Sequence, residues 1–164
     1  MTEIRVSLID VYVLRLVPAA GAPAGAGARL ECLALQRGPG GRCPGSWETV
    51  HGHIEAGERP FEAALRELGE ETGLAAAKLY NLSKVEAFYQ HGADAVDLVP
   101  VFAAFVDPAA PVALGGEHVR SEWLAFDAAR RRFAWPRERR ALEDIEIMLA
   151  TGEAGAIEDV LRVC

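Results

Sequence analysis

Residues 52–74 read Gly-His-Ile-Glu-Ala-Gly-Glu-Arg-Pro-Phe-Glu-Ala-Ala-Leu-Arg-Glu-Leu-Gly-Glu-Glu-Thr-Gly-Leu. Proline is favoured in the first turn of a helix and glycine just past its end, so Pro60 and Gly73 bracket a predicted helix. Glu67, Glu70 and Glu71 stand at i,i+3 and i,i+4 spacings, where like charges cost roughly 0.2–0.5 kcal/mol per pair. A sequence that breaks a local rule in this way is expected to build a site there.

The predicted helix has an apolar face and an acidic face, at about 100° of rotation per residue. The face expected to pack on the core consists of Phe61, Ala64, Leu65 and Leu68. The three glutamates and Arg66 lie on the neighbouring face. Gly52 and Gly57 in the preceding loop let the backbone approach a ligand closely. Clustered carboxylates bind hard cations such as Mg²⁺, and a bound cation activates water against a phosphate. The pattern therefore predicts metal-assisted phosphoryl or pyrophosphoryl hydrolysis.

The composition is that of an ordinary globular protein. The chain has 164 residues, about half of them apolar, which predicts one domain over 1–164 with 151–164 as a short C-terminal tail. The net charge of −7 argues against nucleic acid or a membrane surface as a partner. Cys32, Cys43 and Cys164 match no metal-binding spacing and are expected to be reduced thiols.

The chain also lacks the signs of export. No apolar run approaches the roughly 20 residues of a membrane span, and the first residues do not have the layout of a signal peptide. We therefore predict a cytoplasmic location.

The remaining pattern predicts strands alternating with two good helices. Strand-like runs cover residues 4–17, 29–36, 47–51, 78–90, 96–106 and 123–126. Residues 18–27, rich in Pro, Ala and Gly, are expected to form a flexible hairpin loop between the first two strands. Pro136 begins a last helix that runs to about Leu149. The expected fold class is α/β, with a mixed sheet between helices.

The motif resembles the Nudix box of the Nudix hydrolases. The sequence agrees with this box at each fixed position. The order is Gly52, five residues, Glu58, seven residues, Arg66-Glu67-Leu68, one residue, Glu70-Glu71, one residue and Gly73-Leu74. The resemblance implies the Nudix fold, an α/β/α sandwich with a mixed β-sheet. It also implies hydrolysis of a nucleoside diphosphate linked to a further group, with Mg²⁺ or Mn²⁺ as cofactor.

The resemblance implies roles for the motif residues. Glu67, Glu70 and Glu71 would bind the metal, and one of them or a later glutamate would be the general base. Arg66 would orient the glutamates by ion pairing. The residues expected to support the motif are Glu58, at the junction of loop and helix, and Gly73, at the helix end.

Outside the motif, three segments are similar to dATP and dihydroneopterin triphosphate pyrophosphohydrolases. They are residues 33–37, 50–53 and 117–124. This similarity implies that Glu117 is a further metal ligand or the base, with a simple loop-edge carboxylate as the alternative. It implies that Arg37 contacts a triphosphate, with a solvated arginine as the alternative. His51 and Gly52 would complete the substrate-binding residues.

The predicted function is cleavage of a (deoxy)nucleoside triphosphate or pterin triphosphate to a monophosphate and pyrophosphate. Tyr89, fifteen residues past Leu74, stands about where diadenosine-polyphosphate hydrolases carry a tyrosine, so a dinucleoside polyphosphate is the alternative substrate. A non-catalytic nucleotide-binding module is the alternative from another class. The partner is a small nucleoside polyphosphate, and a homodimer is one open alternative for the oligomeric state.

Overall fold

The computed structural model describes residues 1–19 and 27–164. Its strands are β1 (Glu3–Arg5), β2 (Leu8–Pro18), β3 (Ala28–Arg37), β4 (Trp47–Glu48), β5 (Val50–His53), β6 (Ala76–Gln90), β7 (Ala95–Val106) and β8 (His118–Ala125). Its helices are α1 (Pro60–Thr72), α2 (Phe126–Arg132), α3 (Pro136–Leu149) and α4 (Glu158–Leu161). Most of the predicted hairpin loop 18–27 lies outside the described residues.

The strands form one mixed sheet in which β7, β2 and β3 are neighbours. β2 runs parallel to β7 and antiparallel to both β3 and β5, while β6 and β7 form an antiparallel hairpin. The predicted pairing of β2 with β3 is therefore found, and β6 and β7 form a second hairpin.

Alternate residues of the central strands build a core on each face of the sheet. Ile9, Val11 and Val13 of β2 pack on the side of α1, together with Ala64 and Leu68. The opposite side carries α2 and α3, and its core is formed by Tyr12, Leu14, Phe133, Leu142, Ile145 and Leu149. Because side chains alternate along a strand, this division produces the helix–sheet–helix layering that was predicted.

The prediction of one continuous strand over residues 4–17 is wrong. The chain breaks at Val6 and Ser7, and the register against β7 shifts by one residue between β1 and β2. Asp97 on β7 is fully buried at this break. Arg5 donates two hydrogen bonds to its carboxylate at 3.2 and 3.1 Å, and the Ser7 hydroxyl donates a third at 2.9 Å. Satisfying a buried carboxylate thus interrupts the strand.

The C-terminal tail packs against β6. Leu161 is buried, the Val163 amide donates to the Leu79 carbonyl at 2.8 Å, and the Leu79 amide donates to the Cys164 carbonyl at 3.1 Å. Among the described residues, no helix combines the length and apolarity required to cross a bilayer.

Candidate active site

Helix α1 is fixed at both ends by the residues that bracket it in the sequence. Pro60 begins it, and the Glu62 carboxylate accepts from the Arg59 amide at 2.9 Å, satisfying a backbone donor of the first turn. Gly73 ends it with φ of 69°, a left-handed conformation that favours glycine, and its amide donates to the Gly69 carbonyl at 2.9 Å. The acidic face is thus carried by a rigid element.

Arg66 lies at the centre of the motif. It donates two hydrogen bonds to Glu58, both at 3.0 Å, and one to the His53 carbonyl at 2.7 Å, so it ties the loop to the helix. It also donates to Glu67 at 2.9 Å and to Glu70 at 3.1 Å. One guanidinium therefore offsets the repulsion between carboxylates that the sequence pattern implied.

Gly52 makes room for one of these carboxylates. A Cβ atom built on Gly52 would lie 2.0 Å from Cδ of Glu67, a distance that non-bonded carbon atoms do not adopt. The absence of a side chain on β5 therefore lets the Glu67 carboxylate lie directly against the strand.

Glu71 is the buried carboxylate of the site. Its side chain is about one-tenth exposed, and Oε2 has no hydrogen-bond partner within the described part of the chain. Burial, followed by the nearby charges of Glu67, Glu48 and Glu117, raises the pKa of Glu71 to about 9. Nδ1 of the buried His118 is also unpartnered there and lies 3.8 Å from this oxygen. An unsatisfied buried oxygen beside further carboxylates is a place where a cation would be stabilised.

Arg37 lies between two carboxylates opposite α1. It donates to Glu48 at 2.7 Å and to Glu117 at 3.2 Å, and Nε2 of His118 lies 3.2 Å from the same Glu48 oxygen. Burial opposes ionisation of Glu48, but hydrogen bonds from His118 and Arg37 keep its pKa below the ordinary value. Arg37 is therefore not the freely solvated arginine of the alternative interpretation.

The loop after β7 delivers Glu117 to this cluster. Its backbone is bound to the end of α1, since the Ala113 amide donates to the Thr72 carbonyl at 2.8 Å and the Gly115 amide to the Glu71 carbonyl at 2.9 Å. A Cβ on Gly115 would lie 2.6 Å from the Glu70 carbonyl oxygen, so this close approach requires glycine.

The predicted metal ligands fit a divalent cation by their chemistry, although they do not form a ready cage. Within residues 1–19 and 27–164, no three His, Cys, Asp or Glu side chains are already grouped closely enough to hold an ion. Glu67, Glu71 and Glu117 face one cavity, whereas Glu70 pairs with Arg66 and is not in its lining. Carboxylate donors and the unpartnered Glu71 oxygen nevertheless match what Mg²⁺ or Mn²⁺ requires.

This cavity has a volume of about 890 Å³ and contains most of the predicted site residues. Arg37, His51, Gly52, Glu67, Glu71 and Glu117 line it. Glu58, Arg66 and Gly73 lie outside its lining and act on the position of α1 instead.

Sequence reasoning missed several residues of the cavity and its support. They are Asp10, Glu48, Phe88, His118, Trp135, Arg137 and Glu138. One signal was available, since Asp10 interrupts an otherwise apolar strand between Ile9 and Val11. His118 lies in the segment 117–124 that was singled out, but no role was assigned to it. The other residues come from β4, β6 and the start of α3, and nothing local marks their convergence.

Curated proteins share parts of this sequence. The chain is 37% identical over 115 residues to the octanoyltransferase of Myxococcus xanthus, covering 66% of this chain and 30% of the relative. It is 32% identical over 102 residues to the asymmetrical bis(5′-nucleosyl)-tetraphosphatase of Rattus norvegicus, covering 61% of this chain and 67% of the relative. The chain spans between 21% and 67% of the length of the curated relatives it matches.

Solved structures share the fold. An Ap4A hydrolase of C. elegans superposes with a TM-score of 0.68 at 22% identity, covering 87% of this chain and 96% of the other. The dihydroneopterin triphosphate pyrophosphohydrolase of E. coli gives a TM-score of 0.59 at 22% identity, covering 87% and 99%. The NUDIX domain family matches residues 15–145, which is most of the sequence and includes the whole acidic motif. The chain therefore belongs to the Nudix hydrolase family, as its motif predicted.

Proposed function

We propose that this protein hydrolyses a phosphoanhydride bond of a nucleoside polyphosphate with the help of Mg²⁺ or Mn²⁺. The observation that carries the proposal is the unpartnered Oε2 of Glu71, buried at the wall of a large cavity beside Glu67 and Glu117. A carboxylate kept in this state by burial and by like charges is stable only with a proton or a cation. Arg37 in the same cavity adds a site for a phosphate group.

Glu67, Glu71 and Glu117 would hold the cation, and Glu70 would join them by turning away from Arg66. When held by these carboxylates, a divalent cation would neutralise phosphate oxygens and lower the pKa of a bound water. Members of this family generally require such ions.

The protein's own groups would then position the substrate and remove a proton. Arg37 would bind a phosphate through its fork of N–H donors while Glu48 holds it in place. A glutamate that faces the cavity would accept the proton of the attacking water. The candidates are Glu67, Glu71 and Glu117, which all line the cavity, and the Glu117 side chain is 67% exposed.

Two substrate classes fit this chemistry. A nucleoside or pterin triphosphate would give a monophosphate and pyrophosphate. A dinucleoside polyphosphate is favoured by the similarity to the rat tetraphosphatase and by Tyr89, which is 57% exposed and lies in the cavity wall. Identification of the products by mass spectrometry distinguishes them, since the second class releases a nucleoside di- or triphosphate and no pyrophosphate.

The decisive experiment measures turnover of both substrate classes by wild type and Glu71→Gln with Mg²⁺ and with Mn²⁺. The amide is nearly isosteric with the carboxyl, so we expect a loss of at least about 100-fold with the fold retained. Glu143→Gln, an exposed glutamate on α3, is the matched control and should keep full activity.

Two results would contradict the proposal. If Glu71→Gln retained activity, the Glu71 carboxylate would not be required for hydrolysis. Nucleotide binding by wild type without any hydrolysis, in excess of either cation, would favour a non-catalytic binding module instead.

A further inference from the structure

A second group of residues lines the cavity away from the acidic helix. It comprises His51 on β5, Phe88 on β6, and Trp135 and Arg137 at the start of α3. Gly52 faces Glu67 on the α1 side of the sheet, and consecutive residues of a strand point to opposite faces. His51 is therefore directed to the α3 side, and the cavity spans the edge where both sides can be reached.

Asp10 fastens two members of this group. Its carboxylate is fully buried on β2, 2.5 Å from Nδ1 of His51, and it accepts from Arg137 Nε at 3.0 Å and Nη2 at 3.4 Å. Burial acts against the charge of Asp10, but His51 and Arg137 outweigh it and keep its pKa below the ordinary value. A buried carboxylate is costly unless it is paired, so this strand position is specialised for holding its two partners.

The held side chains form a surface suited to a flat ligand. The Arg137 guanidinium lies 5.6 Å from the centroid of the Trp135 ring and 5.9 Å from that of Phe88. Trp135 remains 40% exposed although it lines a cavity. With Nδ1 of His51 directed to Asp10, its Nε2 is left for hydrogen bonding in the cavity.

From this arrangement we infer that the Trp135–Phe88–Arg137 end of the cavity binds the planar heteroaromatic ring of the substrate. Asp10 is the positioning residue that orients His51 and Arg137 toward that ring. The inference rests on the proposed function, because it assigns the phosphates to the Arg37 and Glu71 end of the same cavity. Aromatic and guanidinium planes stack on any flat ring, and His51 would read hydrogen-bonding atoms at the ring's edge. A nucleobase and a pterin share this chemistry.

The test is equilibrium binding by isothermal titration calorimetry in Mg²⁺, which requires no turnover. The probes are AMP, ribose 5-phosphate, which keeps the sugar and phosphate but has no ring, and neopterin, which carries the pterin ring. We expect wild type to bind AMP at least tenfold more tightly than ribose 5-phosphate. The relative affinities for AMP and neopterin then identify which ring the site prefers.

Trp135→Ala should weaken AMP binding by about 5- to 100-fold, the range for loss of one base–aromatic stack, and leave ribose 5-phosphate binding unchanged. Asp10→Asn should give the same selective loss, and in any active preparation it should raise KM with little change in kcat. Ile147→Ala, on the exposed face of the same helix, is the control and should bind each probe as wild type does.

If Asp10→Asn does not fold, Trp135→Ala and Phe88→Leu still decide whether the ring binds here. The ring assignment is overturned if wild type binds ribose 5-phosphate as tightly as AMP, or if Trp135→Ala binds AMP and neopterin unchanged. A folded Asp10→Asn with unchanged AMP binding overturns the positioning role of Asp10. Ring-selective binding by a protein that hydrolyses nothing would refute the proposed function alone.

Discussion

The backbone of Gly52 lies in close contact with the carboxylate of Glu67. A Cβ on Gly52 would lie 2.0 Å from Cδ and 2.3 Å from Oε1 of Glu67. The atoms in the way belong to the far end of a flexible side chain, so a methyl group there would displace the carboxylate and leave the strand in place. A substitution at this contact should therefore change the geometry of the site without changing the stability of the fold.

Gly52→Ala should lower kcat/KM by on the order of 10- to 100-fold, the effect typical of mispositioning a metal-binding group, with a change in unfolding free energy below about 1 kcal/mol. Kinetics with Mg²⁺ and urea denaturation measure the two quantities. Gly69→Ala is the control, because a Cβ on Gly69 meets nothing within 4 Å. It should keep activity and add roughly 0.5–1 kcal/mol of stability. Equal activity in the two variants would contradict the role of the contact.

Arg66→Lys should lower activity and weaken the apparent affinity for Mn²⁺ by about 10- to 100-fold. An ammonium group cannot hold Glu58 through two parallel bonds and also reach Glu67, Glu70 and the His53 carbonyl. Calorimetric titration with Mn²⁺ measures the affinity. The same substitution at Arg59, whose ion pair with Glu62 is largely exposed, should change neither quantity appreciably. If Arg66→Lys and Arg59→Lys change activity and Mn²⁺ affinity to the same extent, Arg66 does not position the metal-binding glutamates.

Arg37→Met should both raise KM and destabilise the protein, because it leaves the buried Glu48 without one of its partners. Adding Glu48→Gln should recover most of the lost stability but not the KM, since only the arginine would contact a phosphate. Chemical denaturation and steady-state kinetics of wild type, the two single variants and the double variant form a double-mutant cycle that measures the coupling between Arg37 and Glu48. If the double variant also recovers KM, Arg37 acts only through Glu48.

Glu138 should make stability depend on pH. It is buried, and its carboxylate accepts from the Thr49 amide at 2.9 Å and the Trp135 amide at 3.2 Å. Burial, with repulsion from Asp10, raises the pKa of Glu138 to about 8, from an ordinary value of 4.5. Between these values the folded protein keeps a proton that the unfolded chain releases. The contribution of Glu138 to the unfolding free energy therefore falls as pH rises, by at most about 1.4 kcal/mol per pH unit.

Glu138→Gln should remove this component, so the stability of the variant relative to wild type should increase from pH 5 to pH 7. Urea denaturation at both values provides the comparison, and Glu71 affects both proteins equally. A relative stability that does not change with pH would contradict the raised pKa.

The sequence predicted the helix and its acidic face because that information is local. Pro60, Gly73 and the spacing of Glu67, Glu70 and Glu71 lie within one short segment whose geometry follows from helical periodicity. The pairing of β2 with β3 was also predictable, because the two strands follow one another in the chain.

The support of the cavity could not be predicted, because it depends on contacts between distant parts of the chain. Asp10 meets Arg137 from α3, and Glu48 meets His118 from β8. Local periodicity does not specify these pairs, since strand register and helix docking bring them together. The break at Ser7 has the same origin, since it follows from the burial of Asp97 on another strand.

The loop that binds the end of α1 determines where this chain can tolerate insertions. The amides of Ala113 and Gly115 are tied to the carbonyls of Thr72 and Glu71, so Glu117 is placed by reference to the helix. The number of residues between β7 and Ala113 does not set that placement. Chain length can therefore change there without moving Glu117, whereas a single insertion between Gly115 and Glu117 would misalign two carboxylates that are far apart in sequence.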